Sequence, residues 1–347
     1  MRSDDSKFRY GILGCGAAAA RLVIPALKDC GRAELAFVAS RDPKRAQAYA
    51  ERFGCGHASS YEALLRMEEI DIVYVALPIR LHGEWTQRAL KAGKHVHCEK
   101  SLAPSLGEVD QILECARENE RRVLEGFMYR FHSLFQRVRQ VVRSGEIGAL
   151  KSYVGSFGFS LPAGDSLRRD PQMGMGILNE VGCYPVSAAR LFFDSEPLSV
   201  VCHLGYESGV DFSGSATLEF ASGGSAYCAF GYDRSYRCSY SLWGTKGHVS
   251  VDRAFTTPPT LEPLVHVERM GRSEELKLPA ENHFSKMIDA FCIEIQSDSG
   301  RGHFEEEALR QAKVMEALRL SARQGGKVDL KDVIPVCASQ RGLRGSL

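Results

Sequence analysis

Apolar and polar positions follow two different rhythms along the chain. Up to about residue 125, short apolar runs alternate with segments whose apolar residues recur every three or four positions. The runs cover residues 10–13, 35–39, 71–76, 95–98 and 122–125. Their near-continuous apolar character suits strands covered on both faces of a parallel sheet. Helical spacing covers 21–28, 61–67, 82–92 and 105–119, with Ser105 and Glu108 forming a capping box and Gly93 at a helix stop. Pro25 predicts a bend in the first helix or a later effective start. This alternation predicts an α/β domain with a doubly wound parallel sheet over residues 1–126.

From residue 127 the rhythm changes. An amphipathic helix is predicted at 131–143, with Gly145 just past its end. Strand-like stretches follow at 151–159, 200–206, 215–220, 225–232, 240–243 and 248–251. Glycine-containing turns at 221–224 and 244–247 join neighbouring pairs as hairpins. A long helical piece occupies 176–193, and late helices at 283–296 and 304–323 are expected to pack the two halves together. Residues 127–347 therefore read as a C-terminal α+β domain with a large, mostly antiparallel open sheet, ending in a frayed tail from Arg341. The broad face of such a sheet predicts a homodimer or homotetramer.

Composition narrows the class. A 347-residue chain with 44% hydrophobic and 25% charged residues is ordinary for a globular protein of about two domains. A net charge of +1 offers no attraction to nucleic acid or an anionic membrane. The 11 cysteines are odd in number and never spaced C-x-x-C, which argues against a disulfide framework or zinc knuckle and for a reducing cytoplasm. No apolar run approaches the ~18 residues of a membrane span, and the first seven residues contain no apolar signal core.

The chemistry begins where the first apolar run ends, in Gly14-Cys15-Gly16-Ala17-Ala18-Ala19. A strand, a G-x-G-x-x-A turn and a helix in succession form the dinucleotide-binding fingerprint of a Rossmann domain. Gly14 permits the tight turn, Gly16 lets a pyrophosphate approach the backbone, and Ala19 lets the helix pack on the strand. The helix start presents its amides to phosphate. The second strand ends in Ser40-Arg41-Asp42, with Lys44 and Arg45 following. Arg41 suits a 2′-phosphate, and Arg45 lies one helical turn later, so NADP(H) is favoured over NAD(H). Asp42 could still reach a ribose.

Four motifs in order resemble the Gfo/Idh/MocA oxidoreductases across essentially the whole chain: the glycine turn, Leu77-Pro78-x-x-x-His82, Glu99-Lys100, and the stretch from Gly174 to Tyr184. The stretches 236–247 and 251–256 resemble the branch of nucleotide-sugar 3-ketoreductases. The resemblance implies that Lys100 is the catalytic lysine, that Tyr184 holds the proton-donor position, and that Glu180 replaces the usual aspartate. Leu77, Pro78, His82, Glu99 and Met128 would lie along the cofactor. Arg168 matches an arginine that approaches the cofactor in some members. Ser101 stands where the family has proline, at a peptide bond that is often cis.

Reducing a ketone creates an alkoxide that must be protonated. A tyrosine ordinarily titrates near ~10, so it needs a neighbouring cation to act readily at neutral pH. Lys100 could supply that charge and polarise the carbonyl, while Glu180 orients the donor or accepts a substrate hydroxyl. If 176–193 is one helix, Glu180 and Tyr184 share a face. His95 and His97 alternate on a strand without a second ligand cluster, so no metal is expected. The resulting expectation is an NADP(H)-dependent reductase of a keto group on a nucleotide-linked sugar. Alternatives are a dehydrogenase of a free or phosphorylated sugar, polyol or dihydrodiol, and a non-catalytic NADP-sensing regulator.

Overall fold

A computed structural model describes residues 7–297 and 302–334. The chain divides into two compact units, Met1–Met128 with Asn282–Leu309, and Tyr129–Glu281 with Arg310–Leu347. The tail expected from Arg341 lies outside the described residues.

The first unit holds the predicted parallel sheet. Strands β1 (Phe8–Leu13), β2 (Ala33–Ala39), β3 (Gly56–Ala58), β4 (Ile72–Val75), β5 (His95–Cys98) and β6 (Val123–Glu125) lie in the order β3-β2-β1-β4-β5-β6. Every neighbouring pair is parallel. All four residues of β4 are buried, as expected of a strand covered on both faces. Strand order reverses between β1 and β4, which opens the crevice at their carboxyl ends where such sheets bind ligands. The glycine turn follows β1 and sits at that point.

Helices α1 (Ile24–Asp29), α2 (Pro43–Phe53), α3 (Tyr61–Leu65), α4 (Ile79–Lys91) and α5 (Leu106–Glu118) connect the strands. Ser105 caps α5 by accepting from the Glu108 N–H, as the sequence predicts. The tension at Pro25 resolves in both anticipated ways. A π-turn at Ala19–Val23 widens the ladder, and Pro25 then occupies the first turn of α1, where its missing N–H costs least. The helix His283–Gln296 belongs to this unit and packs on α1 and β2. Edge strand β6 is closed by Glu305, which accepts from the Val123 N–H at 2.8 Å and pairs with Arg122 at 2.9 Å.

The second unit is built on a nine-stranded sheet. After α6 (Ser133–Arg143) come β7 (Leu150–Ser160), α7 (Cys183–Phe193), β8 (Ser199–Glu207), β9 (Val210–Glu219), β10 (Ser225–Gly231), β11 (Asp233–Gly244), β12 (Gly247–Asp252), β13 (Leu264–Arg269), β14 (Arg272–Lys277) and β15 (Val328–Asp329). Their order is β14-β13-β12-β11-β7-β10-β9-β8-β15, antiparallel except where β10 meets β7. The hairpin β13–β14 is absent from the sequence expectation because β14, Arg-Ser-Glu-Glu-Leu-Lys, lacks apolar alternation. Its charges keep an edge strand from pairing with other chains. Tyr153, Phe192, Tyr240 and Phe255 pack under this sheet with α7. Among the described residues, no helix is long and apolar enough to cross a membrane.

Candidate active site

The glycine turn has the geometry its chemistry requires. Gly14 has φ of 102°, and an added Cβ would stand 2.6 Å from the Ala76 carbonyl oxygen. At Gly16 an added Cβ would meet nothing within 4 Å. That open space over the backbone is what a pyrophosphate needs. Ala19 is fully buried, while Ala17 and Ala18 lead the helix exposed.

One oxygen of Asp42 serves as a helix cap. Its carboxylate caps α2 by accepting from the Lys44 N–H at 3.0 Å, and Ser40 Oγ accepts from the Asp42 N–H at 3.2 Å. Arg41 and Arg45 remain exposed at the end of β2. The shared-helix argument for this pair needs correction, because Arg41 precedes the cap and only Arg45 lies in α2. Arg41 is located by its backbone, which meets the Tyr61 hydroxyl; Arg45 exerts its charge on the Cys15 thiol of the glycine turn. These residues fit a 2′-phosphorylated dinucleotide: an open cradle and two exposed cations at the end of β2.

His82 is not at a helix start. Helix α4 begins at Ile79, with Pro78 as its cap residue, so His82 is already inside and is 1% exposed. Nδ1 lies 2.7 Å from the Ser101 carbonyl and Nε2 lies 2.8 Å from the Leu77 carbonyl. Burial pushes its pKa down to about 4, so the ring is neutral at pH 7 and donates to one carbonyl at a time. His82 thereby joins the loop after β4 to the loop after β5.

Lys100 leaves the carboxyl end of β5, and its peptide bond to Ser101 is cis. Three contacts fix its surroundings. Tyr74 donates its hydroxyl to Glu99, Glu125 accepts from the Leu102 N–H at 2.8 Å, and His82 holds Ser101. Burial pushes the Glu99 carboxyl up, partly offset by the Tyr74 bond and the Lys100 charge. Met128 is buried three residues beyond β6.

In the second unit, the predicted helix at 176–193 opens with a π-turn, Leu178–Gly182, before α7. Pro185 has no N–H for the carbonyl four residues back, which favours a break in the regular ladder there. Tyr184 is buried among Tyr129, Phe157 and Phe255, with ring centroids 5.4–5.9 Å away. Glu180 receives Arg168 Nε at 2.7 and 2.8 Å on its two oxygens, and Tyr232 donates to one of them. Burial and then the Glu180 charge push the Tyr232 phenol far up, which keeps it a donor. Asp165 completes the cluster, 2.7 Å from Arg168 Nη1. Glu180 is therefore the counterion of Arg168, and each is satisfied by the other. Tyr232 escapes sequence reasoning because it is 52 residues away, in the bend between β10 and β11. Asn179, next in the π-turn, is held by Arg319 at 2.5 Å.

Among the described residues, no group of three or more His, Cys, Asp or Glu side chains is placed to hold a metal. His95 instead accepts from the Arg122 N–H at 3.0 Å, and His97 is packed between Tyr10, Tyr74 and Phe291.

Comparison with known proteins places this geometry in context. A GFO_IDH_MocA model, described as an oxidoreductase family with an NAD-binding Rossmann fold, matches residues 8–127. A GFO/IDH/MocA C-terminal domain model matches residues 135–250. A dTDP-3,4-didehydro-2,6-dideoxy-alpha-D-glucose 3-reductase from Saccharopolyspora spinosa is 37% identical, covering 91% of this chain and 98% of its own. A D-xylose 1-dehydrogenase (NADP(+)) from Haloferax volcanii is 34% identical, covering 92% and 99%. A crystal structure of a 3-ketoreductase from Actinomadura kijaniata with NADP and TDP-benzene superimposes with a TM-score of 0.87 at 35% identity, covering 91% and 98%. That ketoreductase has also been solved with one tyrosine changed to phenylalanine and with one lysine changed to alanine or glutamate.

Proposed function

Because this chain belongs to the Gfo/Idh/MocA oxidoreductase family, we propose that it is an NADP(H)-dependent reductase of a keto group on a nucleotide-linked deoxysugar. The observation that carries the cofactor half is the open space at Gly16 beside Arg41 and Arg45, with Asp42 locked as a helix cap. The substrate half rests on likeness to dTDP-sugar 3-reductases along nine-tenths of the chain.

The bound nicotinamide supplies hydride to the carbonyl carbon. Tyr184 supplies the proton to the carbonyl oxygen, and its aromatic packing holds the phenol in one rotamer. Lys100 supplies positive charge for the developing alkoxide, on a loop that Glu125 and His82 hold still. Glu180 keeps Arg168 charged and placed, although burial works against that charge. Arg41 and Arg45 grip the 2′-phosphate, and Leu77, Pro78 and Glu99 shape the crevice edge.

A panel of keto-sugar nucleotides and free aldoses, followed by NADPH absorbance, tests the substrate class. Turnover of free aldoses alone would favour the second reading, a sugar dehydrogenase, which the likeness to D-xylose 1-dehydrogenase supports. Arg41→Ala is expected to raise the Kd of NADPH about tenfold or more, with NADH changed little, because it removes a charge-assisted fork. Equal weakening of both cofactors would refute the phosphate assignment.

We also place the protein in the cytoplasm as a homo-oligomer. Among the described residues no cysteine is joined in a disulfide, which suits a reducing compartment. Val154, Tyr227 and Trp243 are exposed on one face of the nine-stranded sheet, where Val154 pairs with Tyr227 across strands. A second copy would cover that face. Trp243→Asp is expected to lower the mass measured by light scattering from an oligomer toward the monomer; a monomeric wild type would sink the idea.

A further inference from the structure

Helix α2 carries Arg45 and, one turn later on the same face, Tyr49. The Tyr49 hydroxyl donates to the Gly16 carbonyl at 2.6 Å, a contact spanning 33 residues of sequence. Gly16 is where backbone leaves room for a pyrophosphate, and Arg45 is the cation assigned to the 2′-phosphate. A single hydrogen bond thus ties together the two protein segments that would hold opposite ends of the cofactor's adenosine half. The ring making this bond is itself fixed. Phe53, a further turn along α2, meets it edge-on at 5.3 Å, and the Arg52 guanidinium lies over Phe53 at 4.9 Å. Arg45 lies four residues before Tyr49 on the same face of α2, the face from which Tyr49 reaches Gly16.

We propose that Tyr49 is a positioning residue for cofactor selection: its bond to Gly16 sets the spacing between the glycine turn and Arg45, and so favours a 2′-phosphorylated dinucleotide. The proposal rests on the reading that Arg41 and Arg45 hold the 2′-phosphate. A ligand gripped at two points gains affinity when the points are already at the right separation, because binding need not order them. NADPH uses both points. NADH uses only the glycine turn, so it gains little from the tether.

The test is binding of NADPH and of NADH to the full chain, followed by quenching of protein fluorescence. Tyr49→Phe keeps the ring packed on Phe53 and removes only the hydroxyl. Loss of one hydrogen bond is expected to raise the Kd of NADPH about three- to tenfold, with NADH changed less than about twofold. Equal weakening of both, or no change for NADPH, overturns the proposal. The double variant Arg41→Ala/Arg45→Ala tests the underlying reading separately: it should abolish the preference for NADPH by itself. Adding Tyr49→Phe to that background should then cost NADPH nothing more. A full further loss there would mean that Tyr49 acts on the glycine turn alone, and the proposal fails.

Discussion

Tyr184→Phe is expected to lower kcat for keto-sugar reduction by about 10²–10⁴, the range for a positioned proton donor. NADPH affinity should stay within about twofold, because Tyr184 belongs to the unit that lacks the glycine turn. The substitution is unusually clean. The ring is buried against Tyr129, Phe157 and Phe255, and phenylalanine keeps each of those contacts. The melting temperature of the variant, measured alongside, separates loss of the proton donor from loss of packing. A variant that keeps more than a tenth of wild-type kcat would remove Tyr184 from the proton-donor role.

Lys100→Ala is expected to cost about 10²–10³ in kcat, the usual penalty for losing one preorganised electrostatic group at a developing oxyanion. Its loop should survive the change. The contacts that shape it are made by the Glu99 carboxylate with Tyr74, the Ser101 carbonyl with His82 and the Leu102 amide with Glu125. None of these uses the lysine side chain. Lys100→Arg should not restore the rate, since a broad planar fork cannot stand in for a compact ammonium. Steady-state kinetics with saturating NADPH decide the matter. A kcat within threefold of wild type in Lys100→Ala would remove Lys100 from the chemistry, whereas tight NADPH binding with no turnover of any sugar by the unaltered chain would favour the regulator reading.

The parts of the site differ in how openly the chain announces them. Gly14, Gly16 and Ala19 could be assigned because each answers a steric demand of a turn only six residues long. The Ser105 cap and the Pro25 break were similarly local. Asp-Pro at a helix start is itself a capping signal, and the structure shows Asp42 capping α2 through the Lys44 amide. The apolar pattern starts α4 at His82, whereas the helix begins three residues earlier at Ile79; the ring's contacts with the Leu77 and Ser101 carbonyls are tertiary and leave no trace in spacing.

Periodicity and turn chemistry in the chain alone determined five strands of a parallel sheet, a larger antiparallel one and a glycine turn at a strand end; the sixth parallel strand, Gly56–Ala58, is three residues long and too short to show a period. These depend on interactions within a few residues, which composition and spacing record. Tertiary structure alone decided how the polar groups are spent. Glu180 is taken up by Arg168 and by Tyr232 from the bend between β10 and β11, Tyr49 reaches back to Gly16, and His82 bridges two loops. A buried polar atom must find a partner wherever the packed chain brings one, and that choice is made by three-dimensional neighbours, not by sequence spacing.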